Sequence, residues 1–159
     1  MVNVPVGDYR EGALSNISFH RWAGDLSVAG TWLDPNIGLD ISGIVGMTFN
    51  GDNPATDYRT GTEFHIEGAV SQYLSKQFSI GVVGYYYQQI SDDGGAGARL
   101  GGSRGRVAAL GGTARYTFNV GKVPVTTRVK LVREFDVENR LQGAAGWLTL
   151  SMPIYVNGM

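Results

Sequence analysis

Apolar and polar residues alternate with a period of two along most of the chain, most plainly over Ile37–Phe49. Ile37, Leu39, Ile41, Gly43, Val45, Met47 and Phe49 fall on one side, and Gly38, Asp40, Ser42, Ile44, Gly46 and Thr48 on the other. Such a period is the signature of a strand with one apolar face. The stretch exceeds the about five or six residues usual in a soluble sheet. It suits a strand crossing a bilayer at a tilt, which takes roughly 9–11 residues.

The same design recurs along the sequence. His20–Leu33 places Trp22, Gly24, Leu26, Val28, Gly30 and Trp32 on its apolar face, and Asp34-Pro35 turns the chain. Thr62–Leu74 sets Phe64, Ile66, Gly68 and Val70 against Glu63, His65, Glu67, Ser71 and Tyr73. Phe78–Ile90 sets Phe78, Ile80, Val82, Gly84 and Tyr86 against Ser79, Gly81, Val83, Tyr85, Tyr87 and Gln89. Arg106–Val120, Pro124–Val137 and Gly143–Tyr155 complete a series of seven strands, with Arg133 interrupting the apolar face of the sixth. Residues 1–19 read as an N-terminal loop or weak strand, in which Val2–Val6 or Leu14–Phe19 could supply an eighth strand. Residues 20–155 form the barrel domain and 156–159 a tail. Short turns at Asp34-Pro35, Ser75–Gln77 and Gly121-Lys122 alternate with longer loops at Asn50–Gly61, Ser91–Gly105 and Glu138–Gln142. This is the rhythm of an outer-membrane meander. The expected fold is all-β: an up-and-down antiparallel meander forming a transmembrane β-barrel, or part of a larger one.

Composition narrows the alternatives. The 13 Lys+Arg nearly cancel the 14 Asp+Glu, so nothing points to nucleic acid. Cysteine is absent, which removes disulfides and thiolate metal sites. The 24 glycines are scattered, as in tightly packed β-structure with bulges and turns. No stretch carries a helical apolar stripe, no run approaches the roughly 18 residues of a membrane helix, and MVNVPVGDY is not a signal peptide.

A lipocalin-like soluble barrel points its apolar residues inward, whereas a membrane barrel points them outward. Three features favour the second arrangement. The polar face is rich in Gly, Ser, Thr and Tyr, whereas a water-facing surface carries more Lys and Glu. The aromatics of the apolar face lie at its ends: Trp22, Phe49, Phe64 and Phe135 near the long loops, and Trp32, Phe78 and Phe118 near the short turns. That is the placement of interfacial girdles. Trp22 and Trp32 are separated by about 33 Å of strand at about 3.3 Å per residue. Tilted by about 40°, this spans roughly 25 Å, the height of the apolar band of such barrels.

The candidate lumen residues are Asp40, Glu63, His65, Glu67, Tyr73, Tyr85, Tyr87, Arg115, Arg128, Lys130 and Glu134. Their charges either form a hydrogen-bonded plug, as the small interior of an about eight-stranded barrel favours, or a constriction beside the tyrosine wall. Glu63-x-His65-x-Glu67 offers possible metal ligands, but same-face neighbours lie about 6.6 Å apart, too far to chelate without a partner strand. His65, Ser71 and a glutamate could build a hydrolase triad, though no motif fixes that geometry. The loop Gly94–Arg106 lacks the Lys-Ser/Thr ending and following helix of a phosphate loop. Its Arg99, Arg104 and Arg106 could meet anionic headgroups, and Asp52, Asp57, Asp92 and Asp93 could hold calcium. No catalytic residue, metal or cofactor is assigned.

Four segments are familiar: TWLDPNIGLDIS, FNGDNPATDYRTGTEFH, VGYYYQQISDDGGAGARLG and REFDVENRLQG. They resemble the "MetA-pathway of phenol degradation" family of Gram-negative outer-membrane β-barrel proteins, and the likeness runs from about Val4 to Tyr155. The resemblance implies a channel or transporter, not an enzyme, that passes or binds small hydrophobic or aromatic compounds in the bacterial outer membrane. Members are usually longer, so the chain is expected to be a short or truncated one. Its partners would be outer-membrane lipid and a small hydrophobic solute. An extra strand or self-association would close its edges, because unpaired strands are not tolerated in lipid. A soluble barrel binding an apolar ligand and an outer-membrane hydrolase are the competing readings.

Overall fold

The computed structural model describes residues 1–13, 15–99 and 101–154. It contains one eight-stranded sheet in which every strand pairs with its sequence neighbour. The strands are β1 (Val2–Asn3), β2 (Ala23–Asp34), β3 (Leu39–Asn50), β4 (Glu63–Tyr73), β5 (Phe78–Gln89), β6 (Arg106–Val120), β7 (Val123–Glu138) and β8 (Ala144–Ser151). All pairs are antiparallel, and no helix forms among the described residues. The meander expected from the periodicity is therefore present. Its eighth strand comes from the Val2 end, where Val2 and Asn3 pair with Gly24 and Ala23.

Several expected boundaries shift by a residue or two, β3 beginning at Leu39 instead of Ile37, and three departures are larger. The described part of Leu14–Phe19 forms no strand, and Leu14 lies outside the described residues. β2 begins at Ala23, because His20 turns the chain with a φ of 52°. The last strand ends at Ser151, and Tyr155 and the tail 156–159 lie outside the described residues.

Short connections fix the hairpins. Gly121 and Lys122 alone link β6 to β7, with Val120 facing Val123 and Gly121 at a φ of 62°. A two-residue hairpin favours such positive φ because the turn then twists with its strands. A bulge breaks the register of β6 and β7 between Arg106 and Ala108. Beyond it Arg106 pairs with Asp136 at 3.1 Å and Glu138 at 3.4 Å.

The apolar face is the exposed one. Leu26 is 74 % exposed, Val28 72 %, Leu131 61 % and Leu148 68 %. Trp22, Trp32, Phe49, Phe118 and Phe135 are exposed on it too, and Phe64 and Phe78 are partly exposed. Its opposite face encloses a cavity of about 440 Å³ lined from β2 across to β7. The only cluster of buried apolar residues among those described, Val83, Ala109 and Val132, lies on this enclosed face, with Ala69 and Tyr85 against it. A water-soluble sheet would bury the leucines instead. The outer backbone edge of β8, and that of β2 beyond Asp25, pair with no strand among the described residues.

Candidate functional site

The inward residues fall into rows defined by the strand register. One row runs Ala29, Ile44, Glu67, Tyr85, Ala109, Glu134. The next, towards the short turns, runs Thr31, Ser42, Ala69, Val83, Gly111, Val132. Below it come Asp40, Ser71, Gly81, Thr113, Lys130 and Trp147, then Tyr73, Ser79, Arg115 and Arg128. Charge is therefore segregated. Asp25, Glu63, Glu67 and Glu134 lie with His65 on the long-loop side of the Ala69–Val83–Val132 row, and Arg115, Arg128 and Lys130 lie with Asp40 on the turn side.

Three contacts cross a whole strand. His65 on β4 meets Asp25 of β2 at 2.8 Å, the Tyr85 hydroxyl on β5 donates to Glu134 of β7 at 2.6 Å, and Arg115 on β6 donates to the Tyr73 hydroxyl of β4 at 2.6 Å. Strands two apart are separated by roughly 9–10 Å, so each reach needs a curved sheet and a small residue beneath it. Gly46, Ala109 and Ser79 are those residues. A Cβ on Gly46 would stand 2.6 Å from the His65 ring, far inside van der Waals contact, so only glycine lets the imidazole through.

The remaining candidates are placed as follows. Glu63 accepts hydrogen bonds from the Tyr87 hydroxyl and from Asn50 at 3.1 Å. Asp40 accepts from Ser42 at 2.8 Å. Asp40, Glu67, Tyr73, Tyr85, Arg115, Arg128 and Lys130 line the 440 Å³ cavity. Tyr87 lines a second cavity of about 400 Å³ among the long loops, with Tyr58, Arg99 and Arg140, and the Arg140 guanidinium stacks 4.1 Å from the Tyr87 ring centre. Among the described residues no three acidic or histidine side chains converge to hold a metal. Ser71 lies on β4 six residues from His65, about 20 Å along the strand, so those two do not form a triad. Asp25 and Trp147 were absent from the expected set. Lys130 stacks over the Trp147 ring at 4.5 Å.

The loop acids serve the protein itself. Asp52 pairs with Arg59 at 3.7 Å, and Asp92 with Arg104 at 2.7 Å. Asp57 accepts from the Ala96 amide at 3.0 Å. Asp93 clasps the loops 51–62 and 90–105 together, accepting from the Tyr58 hydroxyl at 2.5 Å, the Gly61 amide at 3.2 Å and the Gln89 side-chain amide at 2.7 Å. Burial alone would raise its pKa, but these hydrogen bonds and one from the Ser103 backbone outweigh it and hold the carboxyl below its usual 3.8. Burial, then the bond to Asp93, pushes the Tyr58 hydroxyl up to about 12. A depressed carboxyl contributes stability that is present above the unfolded value and lost as pH falls through the folded one. The clasp is therefore expected to persist at pH 5 and to loosen only below 3.8. Limited proteolysis of the two loops across that range measures it, and loosening already at pH 5 would contradict the assignment.

Residues 1–150 match a family model described as "Putative MetA-pathway of phenol degradation". No curated protein and no solved structure matches the chain. The match covers almost the whole meander, including the segments quoted above, and the chain belongs to the MetA-pathway of phenol degradation family.

Proposed function

We propose that this protein is an outer-membrane β-barrel that lets small hydrophobic or aromatic compounds pass by passive diffusion, without chemistry. The observation that carries the proposal is the inverted amphipathy: the large aliphatic side chains are exposed, and the enclosed face is polar. In lipid that arrangement buries apolar surface against acyl chains and keeps the polar face in a lumen. Aromatics at both ends of the exposed face would lie at headgroup level. The family's association with phenol degradation supports an aromatic cargo. Outer-membrane lipid is the outer partner, and no cofactor takes part. The edges of β2 and β8 are joined by further strands or by a second copy, which supplies the missing backbone hydrogen bonds.

The test is planar-bilayer conductance of the full chain, its mass verified, with and without phenol or toluene. Stepwise currents that the aromatic solute reduces are expected. No conductance under any condition would sink the channel.

A further inference from the structure

The turn-side half of the enclosed face holds more positive charge than its surroundings use. Arg115 and Arg128 stand directly opposite each other on β6 and β7, a like-charge juxtaposition that costs stability when nothing lies between them. Neither makes an ion pair among the described residues, and nor does Lys130. Asp40, the acid on this side of the cavity, lies on β3 and is engaged with Ser42. Arg115 is held in place by its 2.6 Å bond to Tyr73, which leaves the rest of its guanidinium free to donate. Along β7, Lys130 precedes Val132 by about 6.6 Å, and Val132 and Val83, with Ala69 packed against their cluster, form an apolar patch lining the same cavity. Cationic donors thus adjoin an apolar wall at about the length of a benzene ring bearing one substituent.

We propose that this half of the cavity binds a small organic acid with an apolar body. The carboxylate bridges Arg115, Arg128 and Lys130, and the body rests on Ala69, Val83 and Val132. This rests on the reading of the enclosed face as a solute path and narrows its cargo from hydrophobic compounds in general to their acids.

The experiment compares benzoate with its neutral isostere benzamide on the full chain folded in detergent micelles, by calorimetry. Benzoate is expected to bind at least about tenfold more tightly, the worth of a charge-assisted hydrogen bond, and to weaken as salt is raised. The double substitution Arg128→Gln/Lys130→Gln should erase that preference while leaving benzamide unchanged. Lys122→Gln, in the β6–β7 turn, should preserve it. Equal affinity of the unmodified protein for both probes overturns the proposal and needs no variant. Equal loss of both probes in the double variant also overturns it, because the charges would then be structural. Conductance without benzoate preference leaves the passage reading standing and removes this one. Benzoate preference without conductance does the reverse.

Discussion

The substitution Val45→Arg is expected to destabilise the protein in lipid vesicles by about 2–4 kcal/mol, the cost of a guanidinium at the middle of a barrel's lipid face. Val45 lies at mid-strand in β3, paired with Val28 and Ile66, and all three side chains are exposed. The same change at Thr31, on the enclosed face of the neighbouring strand, is expected to cost far less, because the new side chain reaches a polar cavity. Urea titration in vesicles of outer-membrane lipid gives both numbers. A cost below about 0.5 kcal/mol at Val45, typical of an exposed site in water, would remove the lipid-facing assignment.

A comparably large loss is expected from Gly111→Val. A Cβ at Gly111 would run into the Leu131 carbonyl and stand 2.7 Å from the Val132 Cα. These are backbone atoms of the neighbouring strand and cannot turn aside as a side chain can. Overpacking of this kind costs about 1–3 kcal/mol, and the upper end is expected because β6 and β7 must separate at the centre of the apolar patch. Gly30→Ala is the comparison, since nothing stands within 4 Å of a Cβ there. It should be neutral or slightly stabilising, because alanine restricts the unfolded chain. Thermal unfolding of the two variants side by side measures the contrast. Equal melting temperatures would mean that β6 and β7 are not packed as closely as the register requires.

Periodicity made the strands legible because each buries or exposes its faces in strict alternation, and short turns fixed the β2–β3, β4–β5 and β6–β7 hairpins. The pairings across the long loops carried no such signal. That is why Asp25 was missed: its partner His65 lies on β4, and only the register of β3 with β4 reveals that Gly46 opens the way between them. The Tyr85–Glu134 contact was hidden for the same reason, since Ala109 connects them only once β5 and β6 are aligned. The apolar patch escaped notice because Val83 and Val132 were each a single exception within a polar face. They form a cluster only when β5, β6 and β7 curve together. Trp147 is out of phase with the outward Leu148 and Leu150, so the period of two already turns it inward, but its place beside Lys130 follows only from the register of β7 with β8.

The Asp93 clasp changes what kind of object β4 and β5 are. At one end the turn Leu74–Gln77 joins them covalently. At the other, Asp93 and the 2.8 Å bond from the Ile90 amide to the Thr62 carbonyl hold the outgoing chains together. The pair is in effect a ring, and opening it locally requires breaking a closed loop instead of fraying two free ends. Amide exchange should then be graded across the sheet, slowest in β4 and β5 and fastest in β8, whose residues are all exposed. Removing the clasp with Asp93→Ala would flatten that gradient at its slow end while leaving the fast end untouched.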